Sequence, residues 1–78
     1  MPTILRTEGF RFFFYSSDRA EPSHVHVEKD EKTAKIWLDP VRLQSSHGYS
    51  SSEVNKIVKI VIDNQDDLVR SWNEYFEK

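Results

Sequence analysis

Two histidines, His24 and His26, are separated by a single residue in the segment HVHV. Side chains at positions i and i+2 of a β-strand point to the same side, about 6.5–7 Å apart. Two imidazoles held in this way near a cation can deprotonate a ribose hydroxyl and protonate a leaving oxygen without a metal. The pattern therefore suggests general acid–base catalysis, with His24 and His26 as the candidate catalytic residues. The alternative is that both are ordinary polar residues of a half-exposed strand.

The same spacing can also serve two ligands of one metal ion. Glu28 continues the row, but two or three donors on one strand do not complete a site, and His47 would have to fold back to add another. We therefore predict no metal site and no other cofactor. The chain also carries no cysteine, no Ser-His-Asp pattern and no glycine-rich nucleotide-binding loop.

The pattern of apolar residues indicates which elements hold the histidines. Alternation indicates β-strands at residues 3–7, 10–16, 24–29 and 33–38, and the polar turns between them predict an antiparallel meander. Residues 41–49 are predicted to be a connector. A capping box at residues 50–53 and apolar positions every three to four residues predict one helix over 51–76, with 63–67 as the place where a bend could fall. The predicted class is α+β: a single domain with a four-stranded antiparallel meander and one long C-terminal helix packed on one face.

Alternation also divides the side chains of the sheet between two faces. One set is entirely apolar and is expected to lie under the helix: Phe10, Phe12, Phe14, Val25, Val27, Ala34, Ile36 and Leu38. The other set forms what we call the open face: Arg11, Phe13, Tyr15, His24, His26, Glu28, Lys35 and Trp37. Asp39 and Arg42, at the corner after the fourth strand, could pair with each other beside it. Exposed aromatic clusters usually mark binding, so the open face is the predicted binding surface.

Two kinds of partner suit this surface. Aromatic rings stack on unpaired bases while Arg and Lys hold phosphates, which favours RNA or another single strand. A protein–protein interface is the more common use of such a patch. Duplex DNA is disfavoured because the net charge is −2, and the positive and negative side chains of residues 1–47 cancel.

The length of the chain bears on its association. For 78 residues we predict a folded surface of about 5,000 Å². Burial of apolar surface should stabilise the folded chain by about 120 kcal/mol, and the conformational entropy lost on folding should oppose it by about the same amount. We therefore expect a partner chain or a homodimer contact to stabilise the fold. No apolar run reaches membrane-spanning length and the first residues do not resemble a signal peptide, so we expect no membrane contact and a cytoplasmic protein.

Several segments, in order along nearly the whole chain, resemble the family of domain of unknown function 4160. They are MPTILR, GFRFFFYS, EPSHVHV at residues 21–27, AKIWLDPVRL at 34–43, HGYS at 47–50 and WNEYF. Positions typical of the family fall on His24, His26, Trp37, Asp39, Pro40 and Arg42, while Ser23 departs from it where the family usually has a second proline.

The resemblance implies a small prokaryotic protein, often encoded beside a second small protein in the manner of a toxin–antitoxin pair. It implies a cytoplasmic protein with a cognate partner from the adjacent gene. Our functional hypothesis is a toxin–antitoxin-type module, the toxin, whose open face binds RNA or that partner, with ribonuclease activity as the chemistry to test. The alternative is a non-enzymatic binding module, either an antitoxin or a small regulator.

Overall fold

The computed structural model describes residues 3–76, in which five β-strands precede two α-helices. The strands are β1 (Thr3–Thr7), β2 (Phe10–Phe13), β3 (His24–Lys29), β4 (Lys32–Leu38) and β5 (Val41–His47). A short 3-10 helix (Ser16–Ala20) lies between β2 and β3, within what the sequence predicted to be a strand end and a loop. The helices are α1 (Ser51–Asp63) and α2 (Gln65–Phe76).

The strands form one antiparallel sheet in the order β1-β2-β3-β4-β5, which confirms the α+β class and the meander. Glu8 and Gly9 form the turn that joins β1 to β2. Both residues have positive φ, +54° and +87°, as a two-residue hairpin turn of the favoured twist requires. Two-residue connections also join β3 to β4 and β4 to β5, whereas a longer segment with the 3-10 helix joins β2 to β3.

The fifth strand corrects the predicted connector at residues 41–49. Val41–His47 pairs with β4 from Leu38 opposite Val41 to Thr33 opposite His47. The strand lies at the edge of the sheet, and its side chains are exposed or half-buried throughout. A register shift opposite Lys35 and Ile36 further breaks the alternation that identifies a strand in sequence.

The predicted single helix is also wrong, because two helices of 13 and 12 residues replace it. The break falls at Asn64, inside the segment where a bend was anticipated. The side-chain Nδ2 of Asn64 donates to the carbonyl of Ile60 at 2.8 Å and competes with the helical hydrogen bonds. A straight helix over 51–76 would be about 39 Å long, whereas the longest dimension of the molecule is 36 Å. The break lets both helices cover the same sheet.

The start of the helical segment is as predicted. Ser50 is the N-cap residue of α1, and its Oγ accepts a hydrogen bond from the backbone N–H of Glu53 at 3.2 Å. The Glu53 carboxylate accepts in return from the backbone N–H of Ser50 at 2.9 Å. This reciprocal capping box satisfies two amide groups that the first turn of a helix leaves free.

The predicted apolar face forms the core. Its eight residues are at most 5% exposed, and Ile57, Ile60, Val61, Leu68 and Trp72 of the helices pack against them. The accessible surface is 4879 Å², close to the area expected from the mass. Among residues 3–76, no helix is long and apolar enough to cross a membrane.

Candidate functional site

Strand register places the predicted binding residues on one side of the sheet, opposite the helices. Phe13 faces His26 across β2 and β3, and His26 faces Lys35 across β3 and β4. His24 faces Trp37, and Trp37 faces Arg42 on β5. Register and alternation thus bring the strand residues among them to one side of the sheet.

One end of this face is less open than the sequence suggested. His24 has no solvent exposure and Phe13 is 3% exposed. Residues of the 3-10 helix and the segment after it reach the imidazoles, and the Trp72 ring of α2 lies 5.0 Å from that of His24. Alternation along a strand gives the direction of a side chain but not what covers it, so His24 is on the predicted side and yet buried.

Asp18 is the residue that sequence reasoning missed. Its Oδ2 accepts a hydrogen bond from the backbone N–H of Tyr15 at 2.9 Å. The same oxygen lies 3.0 Å from Nε2 of His26 and 3.2 Å from Nε2 of His24. The carboxylate is 11% exposed and joins the two histidines into one cluster. An acidic residue in a short polar loop has no distinguishing signal in sequence, because its role depends on how the loop folds back.

The environment of His24 is unusual for a buried imidazole. Its Nδ1 lies 2.9 Å from the carbonyl oxygen of Pro22. A carbonyl only accepts, so Nδ1 carries a proton and donates it to that oxygen. Nε2 is buried and makes no hydrogen bond within residues 3–76, although Asp18 Oδ2 is close. A fully buried ring nitrogen thus lies beside a carboxylate oxygen whose side chain is only slightly exposed.

The ionisation of the cluster follows from burial and from mutual attraction. Burial lowers the pKa of His26, while the Asp18 carboxylate opposes that shift. Burial acts to raise the pKa of Asp18, but the Tyr15 amide and the two histidines outweigh it and hold the pKa below its usual range. Near neutral pH the site therefore pairs a carboxylate with a neutral His26 imidazole.

His26 is the member of the cluster that reaches solvent, with a side chain 18% exposed. It opens onto a cleft of about 230 Å³, lined by Phe13, Tyr15, His26, Val27, Thr33, Ala34, Lys35, Ser45 and His47. The Tyr15 ring is 41% exposed and packs edge-on to the imidazole of His26 at 4.6 Å. His47 shares this cleft but is not one of the residues grouped around Asp18.

The two cations of the face are paired with carboxylates. Arg11 forms an ion pair with Glu28, and its guanidinium lies 4.5 Å from the centre of the Phe13 ring. Lys35 Nζ lies 2.6 Å from Glu21 Oε1 and 4.9 Å from the centre of the Trp37 ring. Each charge is thereby oriented over an aromatic ring rather than free in solvent.

The corner at Asp39 and Arg42 lies apart from the histidines. The two residues line a second cleft with Trp37, Pro40, Pro22 and Ser23. Within the described residues they form no ion pair with each other, so the pairing considered from sequence is absent there. Phe13, Tyr15, His26 and Lys35 thus line the histidine cleft, and Trp37, Asp39 and Arg42 line a second one, the Trp37–Arg42 cleft. Arg11 lines a third hollow with Glu28, and His24 is buried.

Comparison with known proteins gives one match. A family model described as "Domain of unknown function (DUF4160)" matches residues 9–73, which include every residue of both clefts. No curated protein and no solved structure matches the chain.

Proposed function

The chain belongs to the DUF4160 family, and we propose that it acts as the toxin of a toxin–antitoxin-type pair whose open face binds single-stranded RNA. The observation that carries the proposal is the histidine cleft. It brings an exposed aromatic ring, Tyr15, to the same hollow as Lys35, His26 and His47. Aromatic platforms beside cations are how proteins hold single-stranded RNA without reading its sequence.

In the proposed complex a base stacks on Tyr15, and the neighbouring phosphate approaches Lys35. The phosphate replaces Glu21 as the partner of the Lys35 ammonium group, which is already held over Trp37. Each phosphate contact on a single strand contributes about −0.7 to the slope of log K against log salt. Because the chain carries a net charge of −2, we expect few such contacts and a shallow salt dependence.

Any chemistry on the RNA would take place at His26. His24 is fully buried, so it acts only through Asp18 and the ring of His26. The lowered pKa of His26 keeps its ring neutral near pH 7, which is the form able to accept a proton or to bind a cation.

A second candidate is a non-enzymatic binding module, an antitoxin or a small regulator. The pairing of Arg11 with Glu28 and of Lys35 with Glu21 favours it, because a neutralised face attracts phosphate weakly. Its partner would be the small protein encoded by the adjacent gene, or a second copy of this chain, seated against Tyr15 and Trp37.

The two candidates are separated by measuring binding to labelled single-stranded RNA and to the neighbouring gene's product. For the RNA proposal, Tyr15→Ala weakens RNA binding by about 5–150-fold, as loss of one stacked base should. Lys35→Ala reduces the magnitude of the salt slope by about 0.7. Ile62→Ala and Lys59→Ala are the matched controls, since both residues are well exposed on α1.

Absence of RNA binding, together with capture of the neighbouring protein that Tyr15→Ala abolishes, would establish the second candidate instead. The toxin role is tested separately by expression. Growth should stop when this chain is produced alone and resume when the neighbouring gene is expressed with it. Cleavage of RNA that persists in His26→Gln would remove the histidine cluster from the chemistry.

A further inference from the structure

We propose that Asp18, His24 and His26 bind one divalent transition-metal ion of the zinc class through Oδ2, Nε2 and Nε2. The sequence led us to expect no metal, because two or three donors on one strand do not complete a site. The third donor comes from the 3-10 helix, and all three atoms lie within 4.8 Å of one another. The inference goes beyond RNA binding and does not depend on it.

His24 carries the first part of the argument. Its Nδ1–H donates to the Pro22 carbonyl, and its buried Nε2 lies 3.2 Å from Asp18 Oδ2 with no hydrogen bond between them. A divalent cation placed between these two atoms would bind both of them. Metal-binding histidines characteristically donate their other ring N–H to a carbonyl or a carboxylate, which is the arrangement seen here.

Asp18 gives the second part. Three nitrogen atoms, the Tyr15 amide and the two Nε2 atoms, lie within 3.2 Å of the single oxygen Oδ2. A carboxylate oxygen offers about two lone-pair sites, and one of them accepts from the Tyr15 amide, so at most one of the two imidazoles can donate to Oδ2. With a metal bound, one lone pair accepts from Tyr15, the other binds the ion, and both imidazoles turn their lone pairs to the ion.

The distances fit an ion of this size. Zinc bonds of about 2.0–2.2 Å in a tetrahedral arrangement separate neighbouring ligand atoms by about 3.4 Å. The two separations at Asp18 are 3.0 and 3.2 Å, and the two imidazole nitrogens lie within 4.8 Å of each other, so the ion requires the two rings to move closer together. The donor set of two imidazoles and one carboxylate suits zinc and also ferrous iron, and it disfavours magnesium and calcium.

Three protein ligands leave one tetrahedral position for water or for a ligand from outside. The nearest further carboxylate, Glu21, lies 3.7 Å from Nδ1 of His24, on the side of the ring away from the cluster, and is bound to Lys35. An open fourth position is the pattern of metal sites that act on substrates rather than of closed structural sites. Because His26 is partly exposed and lines the histidine cleft, we expect the fourth position to face that cleft.

The direct test is calorimetric titration of the full chain, stripped with EDTA, with zinc chloride in the absence of RNA. We expect one equivalent of zinc per chain. Titration with cobalt(II) chloride should give the visible absorption bands of a tetrahedral site. This spectrum reports the ligand geometry directly and does not depend on any activity.

The variants separate the proposed ligands from their neighbours. Asp18→Ala and His26→Gln should each weaken zinc binding by roughly 100-fold or more, at least the effect of losing an outer-shell partner of a metal ligand. The matched controls are His47→Gln in the same cleft and Glu21→Gln in the same loop, and both should bind zinc as the natural chain does. Circular dichroism confirms that each variant is folded before it is titrated.

The proposal is overturned if the stripped natural chain binds no zinc. It is equally overturned if Asp18→Ala and His26→Gln bind zinc no more weakly than the controls, since the ion would then lie elsewhere. Because RNA is absent from the titration, a negative result leaves the proposed RNA binding untouched, and a failure of RNA binding leaves the metal site untouched.

Discussion

Removal of the Asp18 carboxylate should destabilise the protein even when no metal is present. In Asp18→Ala, the Tyr15 amide loses a charged acceptor at 2.9 Å, and His26 loses its partner at 3.0 Å. A hydrogen bond to a charged group contributes about 1.5–3 kcal/mol, and the exposure of Tyr15 places this case near the lower end. We expect a loss of about 2 kcal/mol in the free energy of unfolding, which corresponds to a fall of about 8–16 °C in Tm for a chain of this size.

The measurement is urea unfolding followed by tryptophan fluorescence at pH 7 in the presence of EDTA. Asp63→Ala is the matched control, because Asp63 is 59% exposed and pairs only with Lys59 on the surface of α1. Loss of such an exposed pair costs about 0–1 kcal/mol. An Asp18→Ala variant no less stable than Asp63→Ala would refute the view that Asp18 fastens the 3-10 helix to the sheet.

The pH dependence of the stability difference between the natural chain and Asp18→Ala gives an independent check. The folded pKa of Asp18 lies below its unfolded value, so its contribution is complete above the unfolded pKa and is lost as the pH falls through the folded pKa. The gap between the natural chain and Asp18→Ala should therefore be constant near neutrality and narrow in acid. A gap that widens as the pH falls from 5 to about 3 would contradict the assigned sign.

Three further predictions concern the rest of the molecule. Ser50→Ala removes the cap of α1 and should cost about 1 kcal/mol in thermal unfolding, whereas Ser51→Ala, which leaves the capping bonds intact, should not destabilise the helix. Leu68→Ala empties a core position that is 1% exposed and should cost about 2–5 kcal/mol, while Leu43→Ala, at 37% exposure, should cost much less. NMR titration of the metal-free chain should place the pKa of His26 below 6.5, because burial disfavours its charged form. The free energy of unfolding of the metal-free protein should then decline as the pH falls through 6.5. A His26 pKa above that value would contradict the effect assigned to burial.

The parts of the fold that sequence predicts well are those in which one periodicity is repeated without interruption. Alternation identified β3 and the apolar face because Val25 and Val27 are completely buried while their neighbours face the other way. The capping box located the start of α1 because both of its hydrogen bonds are local. β5 was missed because an edge strand with few buried side chains has little periodicity to detect.

The remaining errors have a common cause in contacts between distant residues. The break at Asn64 is fixed partly by the Gln65 side chain, whose Nε2 donates to the carbonyl of Leu38 at 2.7 Å across the end of the sheet. Asp18 joins the candidate site only after the 3-10 helix folds back over β3. Neither contact leaves a pattern in the neighbouring sequence, and so the site could be predicted as a face but not as a cluster of three donors.

The order of the strands has a consequence for how the chain folds as it is synthesised. Each strand pairs only with its immediate neighbours along the chain, and three of the four connections have two residues. Such local pairing closes short loops and favours rapid folding. The last strand ends at His47, yet the residues that cover the apolar face begin at Ser51. A nascent chain can therefore complete its sheet while one whole side is still bare, and we expect chaperone binding during synthesis to be confined to the interval before α1 and α2 emerge.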